Sequence, residues 1–249
     1  MTNAPKGTVS APDFELEYLE MTLGMVVHYD GGFLVAADSA ASETTWGFRE
    51  PFPKSKIMSL ESCAIVYAGN SDWCRRTLKA ACPSDTASSS PYEVARSISR
   101  TAKKAWKRRF KGGAQFAVVG FDEQLRQQLF YLSSNERFTI NHRSDSGCAL
   151  VGRWVVADYF MSRFLAYGMT LDSVAKLAVL AFNETTAVLE GIDMRLQGVL
   201  VTPEASPKPF DFTAALADLR ARGIRFVRTI DEWLHEPAGE IHEQDQEPS

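Results

Sequence analysis

The amino-acid sequence predicts an α+β protein of four layers, αββα, with two antiparallel sheets held between layers of helix. Two observations predict it. Short runs of strand formers, punctuated by turn residues, come in blocks whose members follow one another in hairpin order. Each block is then followed by two segments with apolar residues at helical spacing, so that each sheet has helices with which to cover a face.

The first block opens after Met21. Thr22 to Tyr29 (TLGMVVHY) is rich in strand formers, and Asp30-Gly31-Gly32 supplies the positive φ of a tight hairpin. Phe33 to Asp38 (FLVAAD) returns as a second strand. A loop with Gly47, Pro51 and Pro53 leads to two short strands, Lys56–Leu60 (KIMSL) and Cys63–Ala68 (CAIVYA). Asn70 is placed to cap a helix over 71–81. Ser90-Pro91 opens another, with Val94, Ile98, Ala102 and Trp106 as its apolar stripe.

Strands return at 114–121 (AQFAVVGF), 126–132, 136–142 and 147–152. Two helices follow, Val155–Tyr167 and one capped by Thr170, whose Val174, Leu177, Ala178 and Ala181 mark a buried face. A strand at 195–202 (RLQGVLVT) closes the domain. Residues 1–21 are polar, carry Glu15, Glu17 and Glu20, and read as a leader, a propeptide or a stretch ahead of the true start. Residues 203–236 read as a C-terminal appendage with a helix at 212–222. Residues 237–249 read as an acidic, disordered tail.

The bulk composition narrows the function. The 249 residues suit one large α/β domain, and 45% hydrophobic with 23% charged residues fits a globule with a core. A net charge of -4 gives no general pull toward nucleic acid or membrane. The basic run Lys103, Lys104, Lys107, Arg108, Arg109 and Lys111 falls at a helix C-terminus, where cations suit the helix dipole. Cys63, Cys74, Cys82 and Cys148 form no CxxC pair and have no His at zinc-site spacing, so they read as reduced thiols of a cytoplasmic protein. His28, His142, His235 and His242 are scattered, with no spacing that suggests a Ser–His–Asp triad. The most apolar region, around 154–168, is interrupted by Asp158 and Arg163, whereas a membrane span needs roughly 20 mostly apolar residues. Residues 1–20 lack the basic start and apolar run of a signal peptide. No metal or cofactor is expected.

One resemblance gathers these elements. The segment TLGMVVHYDGGFLVAADS resembles the first hairpin of proteasome β-subunits, in which the mature chain begins with Thr, crosses an Asp-Gly turn and reaches Asp-Ser; Thr22 and Asp38-Ser39 fit. Lys56-Ile57 fits the family's Lys before an aliphatic residue at a strand start. Tyr67-Ala68-Gly69 fits its Ala-Gly leading into a helix. AQFAVVGFDEQLRQQLFYLSS is similar to its second hairpin. CALVG before a helix, the Thr170 helix and VLVTPE match its back half, so the likeness runs over roughly 21–203. The divergent bacterial proteasome homologues and HslV-type peptidases are the nearest comparison within that family.

The resemblance implies an N-terminal nucleophile hydrolase that cleaves peptide bonds with Thr22. A threonine hydroxyl needs a base. The Thr22 α-amine, titrating near about 7.7–8.0 when free, would serve if Thr22 begins the mature chain. Lys56 would lend positive charge, Asp38 would hold its ammonium, and the Gly69 N–H would face the oxyanion. Lys54 is a rival for the lysine role, since residues two apart in a strand share a face; only the place before the aliphatic residue favours Lys56. The backbone of Ala41 and Ser42, with Gly69, would contact substrate. Ala41, Lys54, Tyr67 and Ser71 would line the pocket for the residue before the cut, made shallow by Tyr67.

The chain departs from the family in three places. Met21 stands where the family has Gly, Arg153 replaces a helper Ser, and the Asp–x–x–Ser–Gly–Gly segment is missing, with Glu190 or Asp193 as replacements for its Asp. Thr22 reaches the N-terminus either by removal of residues 1–21 or by a start at Met21 followed by loss of that methionine, the route favoured here. The expected partners are copies of itself in a stacked ring, an unfolded polypeptide substrate and an ATP-dependent unfoldase. A non-catalytic ring or scaffold subunit and a small-amide hydrolase are the alternatives. Nucleic acid and membrane are not expected partners.

Overall fold

The computed structural model describes residues 22–39, 55–83, 89–106, 113–189, 192 and 195–221. Two five-stranded antiparallel sheets lie face to face, with a pair of helices on each outer surface. β1 (Leu23–Tyr29) and β2 (Gly32–Asp38) form the first hairpin. β3 (Ile57–Ser59) and β4 (Cys63–Gly69) follow, then α1 (Ser71–Ala81) and α2 (Pro91–Trp106). β5 (Ala114–Phe121), β6 (Gln127–Ser133), β7 (Asn141–His142) and β8 (Cys148–Gly152) form the second block. α3 (Val155–Phe164), α4 (Leu171–Val188), β9 (Leu196–Thr202) and β10 (Ala205–Phe210) follow, and α5 spans 213–221. One sheet has the order β10-β9-β2-β1-β8, the other β3-β4-β5-β6-β7.

Strand alternation builds the layers. Val26, Val35 and Ala37 of the first sheet meet Ala64, Val66, Ala117 and Val119 of the second in the central core. Their neighbours Leu23, Met25 and Val27 point the other way, onto Val174, Ala178 and Phe182 of α4. On the far side Ile65, Phe116 and Val118 pack on Leu78 of α1 and on Val94 and Ile98 of α2. Each buried Val, Leu, Ile, Phe or Met among them contributes roughly 1.5–3 kcal/mol relative to exposure, before conformational entropy is subtracted.

The expected caps form. Asn70 Oδ1 accepts the Trp73 N–H at 2.9 Å, and Thr170 Oγ1 accepts that of Ser173 at 3.3 Å. Ser90 and Glu93 make a reciprocal capping box: Ser90 Oγ accepts the Glu93 N–H at 3.3 Å, and Glu93 Oε2 accepts the Ser90 N–H at 3.1 Å. Among the described residues, no helix is long and apolar enough to cross a membrane.

Three elements differ from the sequence expectation. The strand expected over 136–142 shrinks to Asn141–His142. Residues 134–136 form a 3-10 turn capped by Ser133, and Arg137 and Phe138 take φ of 53° and 55°. That turn swings the Phe138 ring into the helix-side core, fully buried and stacked 5.7 Å from Trp73. α3 stops at Phe164, and the chain then turns through Gly168 at φ 77°. Residues 205–210, read as the start of an appendage, form β10 on the free edge of the sheet beside β9, and Phe212 and Ala215 join the core under α4. Pro207 and Pro209 argue against a strand, but an edge strand tolerates their missing N–H groups. The expectations for the leader, for 107–111 in the basic run and for the acidic tail lie outside the described residues.

Candidate active site

The first hairpin brings Thr22 and Asp38 together. The register pairs Gly24 with Ala37, so Asp38 ends β2 beside the start of β1. Asp38 Oδ1 accepts the N–H of Leu23, the residue after Thr22, at 2.9 Å. Its other oxygen, Oδ2, accepts the Lys56 ammonium at 2.9 Å. The pair is buried, with side-chain exposures of 4% for Lys56 and 0% for Asp38. One carboxylate therefore spans two sheets: it fixes the backbone leaving Thr22 and holds a cation delivered from the approach to β3.

Lys56 is itself fixed by its backbone. Its N–H donates to Gln197 Oε1 on β9 at 3.2 Å, and its carbonyl accepts the Tyr67 N–H at 3.1 Å. A buried ion pair is costly to assemble, because both charges leave water. The pair sits at the strand ends, where the same carboxylate also holds the backbone N–H that follows Thr22.

Thr22 is buried, at 2% exposure. Its carbonyl accepts the Arg153 N–H at 2.9 Å. The turn at Gly152 makes this possible: φ is 88°, and a Cβ on residue 152 would lie 1.8 Å from the Thr22 carbonyl oxygen, so only glycine fits. Gly152 in turn donates its N–H to Gln115 Oε1 at 2.7 Å. Arg153, noted in the sequence as replacing a helper Ser, thus pins Thr22 through its backbone. Gln115 and Gln197 were missed by sequence reasoning. The available signal was a lone amide in an otherwise apolar strand, AQFAVVGF and LQGVLVT.

Gly69 ends β4 with φ 109°, and a Cβ there would strike the Gly113 carbonyl oxygen at 2.0 Å. The neighbouring Ala68 Cβ lies 3.2 Å from the Cβ position at Gly152, so Gly69 adjoins the Thr22 end of β1. Thr22, Asp38, Lys56 and Gly69 therefore gather at one end of the sandwich. Tyr67 is buried at 3% in the helix-side core and donates its hydroxyl to the Ser55 carbonyl at 2.8 Å. It lines an open cavity of about 960 Å³ together with Ser55, Met58 and residues of α1. Ser71, the first residue of α1, is not among the described residues lining it. Ala41, Ser42 and Lys54, and the candidate replacements Glu190 and Asp193, lie outside the described residues.

Cys63, Cys74, Cys82 and Cys148 are free thiols. Burial pushes Cys63 up to about 12 and Cys82 up to about 11, so neither is a ready thiolate nucleophile near neutral pH.

Two antiparallel sheets between helix pairs form a four-layer αββα sandwich, the proteasome-like fold. Among solved structures the chain is similar to Anbu. The helical assembly of the Anbu complex from Pseudomonas aeruginosa matches with a TM-score of 0.70 at 14% identity, over 87% of this chain and 98% of that one. Anbu, an ancestral β-subunit, from Yersinia bercovieri matches with a TM-score of 0.66 at 15% identity, over 84% and 97%. An Anbu (Gly-1) mutant from Hyphomicrobium sp. strain MC1 matches at 0.67 and 15%, over 87% and 97%. These neighbours support the broader proteasome-like fold, not the HslV-type in particular. No protein-family model and no curated protein matches the chain.

Proposed function

We propose that the chain is a threonine-type endopeptidase subunit of a self-compartmentalising ring, with Thr22 as nucleophile. The observation that carries this is the buried Asp38 carboxylate, shared between the Lys56 ammonium and the Leu23 N–H beside Thr22. A carboxylate in that place holds a positive charge next to a strand start, where a free amine and hydroxyl would need one.

In this reading Thr22 begins the mature chain. Start at Met21 with loss of that residue is the favoured route, and excision of residues 1–21 is the other. The Thr22 α-amine takes the Oγ proton as Oγ attacks a peptide carbonyl. The Lys56 charge favours the neutral amine and the developing alkoxide. The Gly69 N–H faces the oxyanion. The ammonium returns its proton to the leaving amine, the peptide bond breaks, and an ester on Thr22 remains. Water, deprotonated by the same amine, then hydrolyses the ester and restores Oγ–H.

Self-assembly is the expected setting, because a solved neighbour of the same fold forms a helical assembly. An unfolded polypeptide is the substrate class, and an ATP-dependent unfoldase is a partner that the resemblance alone suggests. The cytoplasm is the expected compartment. A second reading, a ring subunit without catalysis, is favoured by Arg153 at the helper position and by the 21 residues that precede Thr22 in this sequence.

The test is intact-mass measurement of protein expressed from the longer start and from Met21, together with hydrolysis of a fluorogenic peptide panel. A chain beginning at Thr22 that cleaves peptides, with Thr22→Ala inert, supports the peptidase. Assembled chains that keep residues 1–21 and cleave nothing favour the scaffold.

A further inference from the structure

The cavity over β3 and β4 carries an unusual charge. Its floor is apolar, from Ile57, Met58 and the Tyr67 ring. Its wall is one face of α1, on which Asp72, Arg75, Arg76 and Lys79 follow at helical spacing. Three cations against one carboxylate leave a net +2 on that wall, in a chain whose net charge is -4. All four side chains are exposed. Among the described residues none of the three cations forms an ion pair; Arg76 Nε donates to the Asp72 carbonyl at 3.3 Å.

A basic stripe on a helix is most often a solvated face. Here the stripe overhangs a concavity of about 960 Å³ whose floor is fixed, since the Tyr67 hydroxyl is bound to the Ser55 carbonyl at 2.8 Å. The cavity and the candidate active site share one stretch of chain, although Thr22, Asp38, Lys56 and Gly69 are not among the described residues lining it. Ser55 and Ile57, the residues flanking Lys56, both line it. An apolar floor beneath a cationic wall suits a short aliphatic stem ending in a carboxylate.

We infer that this cavity binds an acidic side chain, glutamate before aspartate, of the polypeptide presented to the Lys56 end of the sandwich. The choice of glutamate follows from its extra methylene, which covers more of the Met58–Tyr67 floor while the carboxylate reaches Arg75 and Lys79. The polypeptide as occupant rests on the peptidase reading above; the preference for negative charge rests on the cavity itself.

Two measurements, each made on the full 249-residue chain and on the chain expressed from Met21 with its first residue checked as Thr22 by intact mass, separate the two ideas. In the first, fluorescence anisotropy follows binding of hexapeptides carrying a neutral fluorophore and a single Glu, Leu or Lys. The Glu peptide is expected to bind roughly tenfold tighter than the others, the size of one charge-assisted hydrogen bond. The advantage shrinks with added salt and is lost in Arg75→Glu/Lys79→Glu. Both positions are exposed, so that variant should fold, which its circular dichroism checks. Equal binding of the three peptides, or an advantage untouched by the charge reversal, overturns the inference. In the second, the same peptides are tested for cleavage after the varied residue. Cleavage without a Glu preference leaves the peptidase reading standing and counts against the cavity as the selecting site. Selective binding without any cleavage supports the cavity and counts against the peptidase.

Discussion

The Lys56 ammonium lies 2.9 Å from the Asp38 carboxylate, and neither side chain has appreciable contact with solvent. Removing one partner strands the other charge in the protein interior. Asp38→Asn is therefore expected to cost about 3–5 kcal/mol, and Lys56→Met a similar amount. The double variant Asp38→Leu/Lys56→Met should cost much less than the sum, because it strands no charge. Urea denaturation at fixed protein concentration measures all three. Additive losses would show that the pair is not coupled.

Gly152 gives a sharper steric test. Alanine there puts a Cβ 1.8 Å from the Thr22 carbonyl oxygen at a φ of 88°. Backbone strain alone costs about 1–3 kcal/mol, and the collision must move Thr22. Peptide cleavage should fall to background. Gly168→Ala is the control: its φ is 77° but nothing lies within 4 Å, so about 1–2 kcal/mol of stability is lost and activity stays. Thermal melts and peptide turnover for the two variants give the comparison.

Gln115 acts through Gly152. Gln115→Leu leaves the buried Gly152 N–H without its 2.7 Å acceptor, at a cost of about 1–3 kcal/mol. Because the same turn holds the Thr22 carbonyl, kcat should fall while KM changes little. A loss of stability with unchanged kcat would confine Gln115 to a structural role.

Two thiols with raised pKa values set an alkaline limit. Cys63 and Cys82 are pushed up to about 12 and 11, above their value of 9.0 in the unfolded chain. The unfolded state thus loses protons first as pH rises, and stability falls from about pH 9 upward. Cys63, fully buried, should resist iodoacetamide at pH 8 in the native protein and react once it is unfolded. Rapid native labelling of Cys63 would contradict its burial.

The fold was legible where local signals and layer architecture agreed. Asn70, Ser90-Pro91 and Thr170 marked helix starts that the structure keeps, and the Asp30-Gly31 turn fixed the register that sets Asp38 beside Leu23. Signals failed where tertiary contact overrode them. The strand expected over 136–142 was displaced by the demand of the aromatic core for Phe138, and β10 was hidden by two prolines that only an edge position tolerates. At the candidate site, Lys56 stood out by its place before an aliphatic residue, and the structure puts its ammonium on Asp38. Gln115 and Gln197 showed only as lone amides in apolar strands, a signal with no spacing rule to name a partner; that partner, a backbone N–H from another element, exists only after folding. The cationic face of α1 could be read as a helical stripe, but not that it overhangs a cavity.

The central claim is that the nucleophile and its base belong to the same residue. A peptide α′,β′-epoxyketone tests this directly, because a free amine and a hydroxyl on adjacent carbons close a ring with its two electrophilic carbons. Mass spectrometry of the proteolysed adduct reads the site. The account predicts a modified peptide whose first residue is Thr22, with both groups consumed and peptide cleavage lost in step. Cleavage by a protein that still begins upstream of Thr22, or inactivation with the Thr22 peptide unmodified, would contradict it.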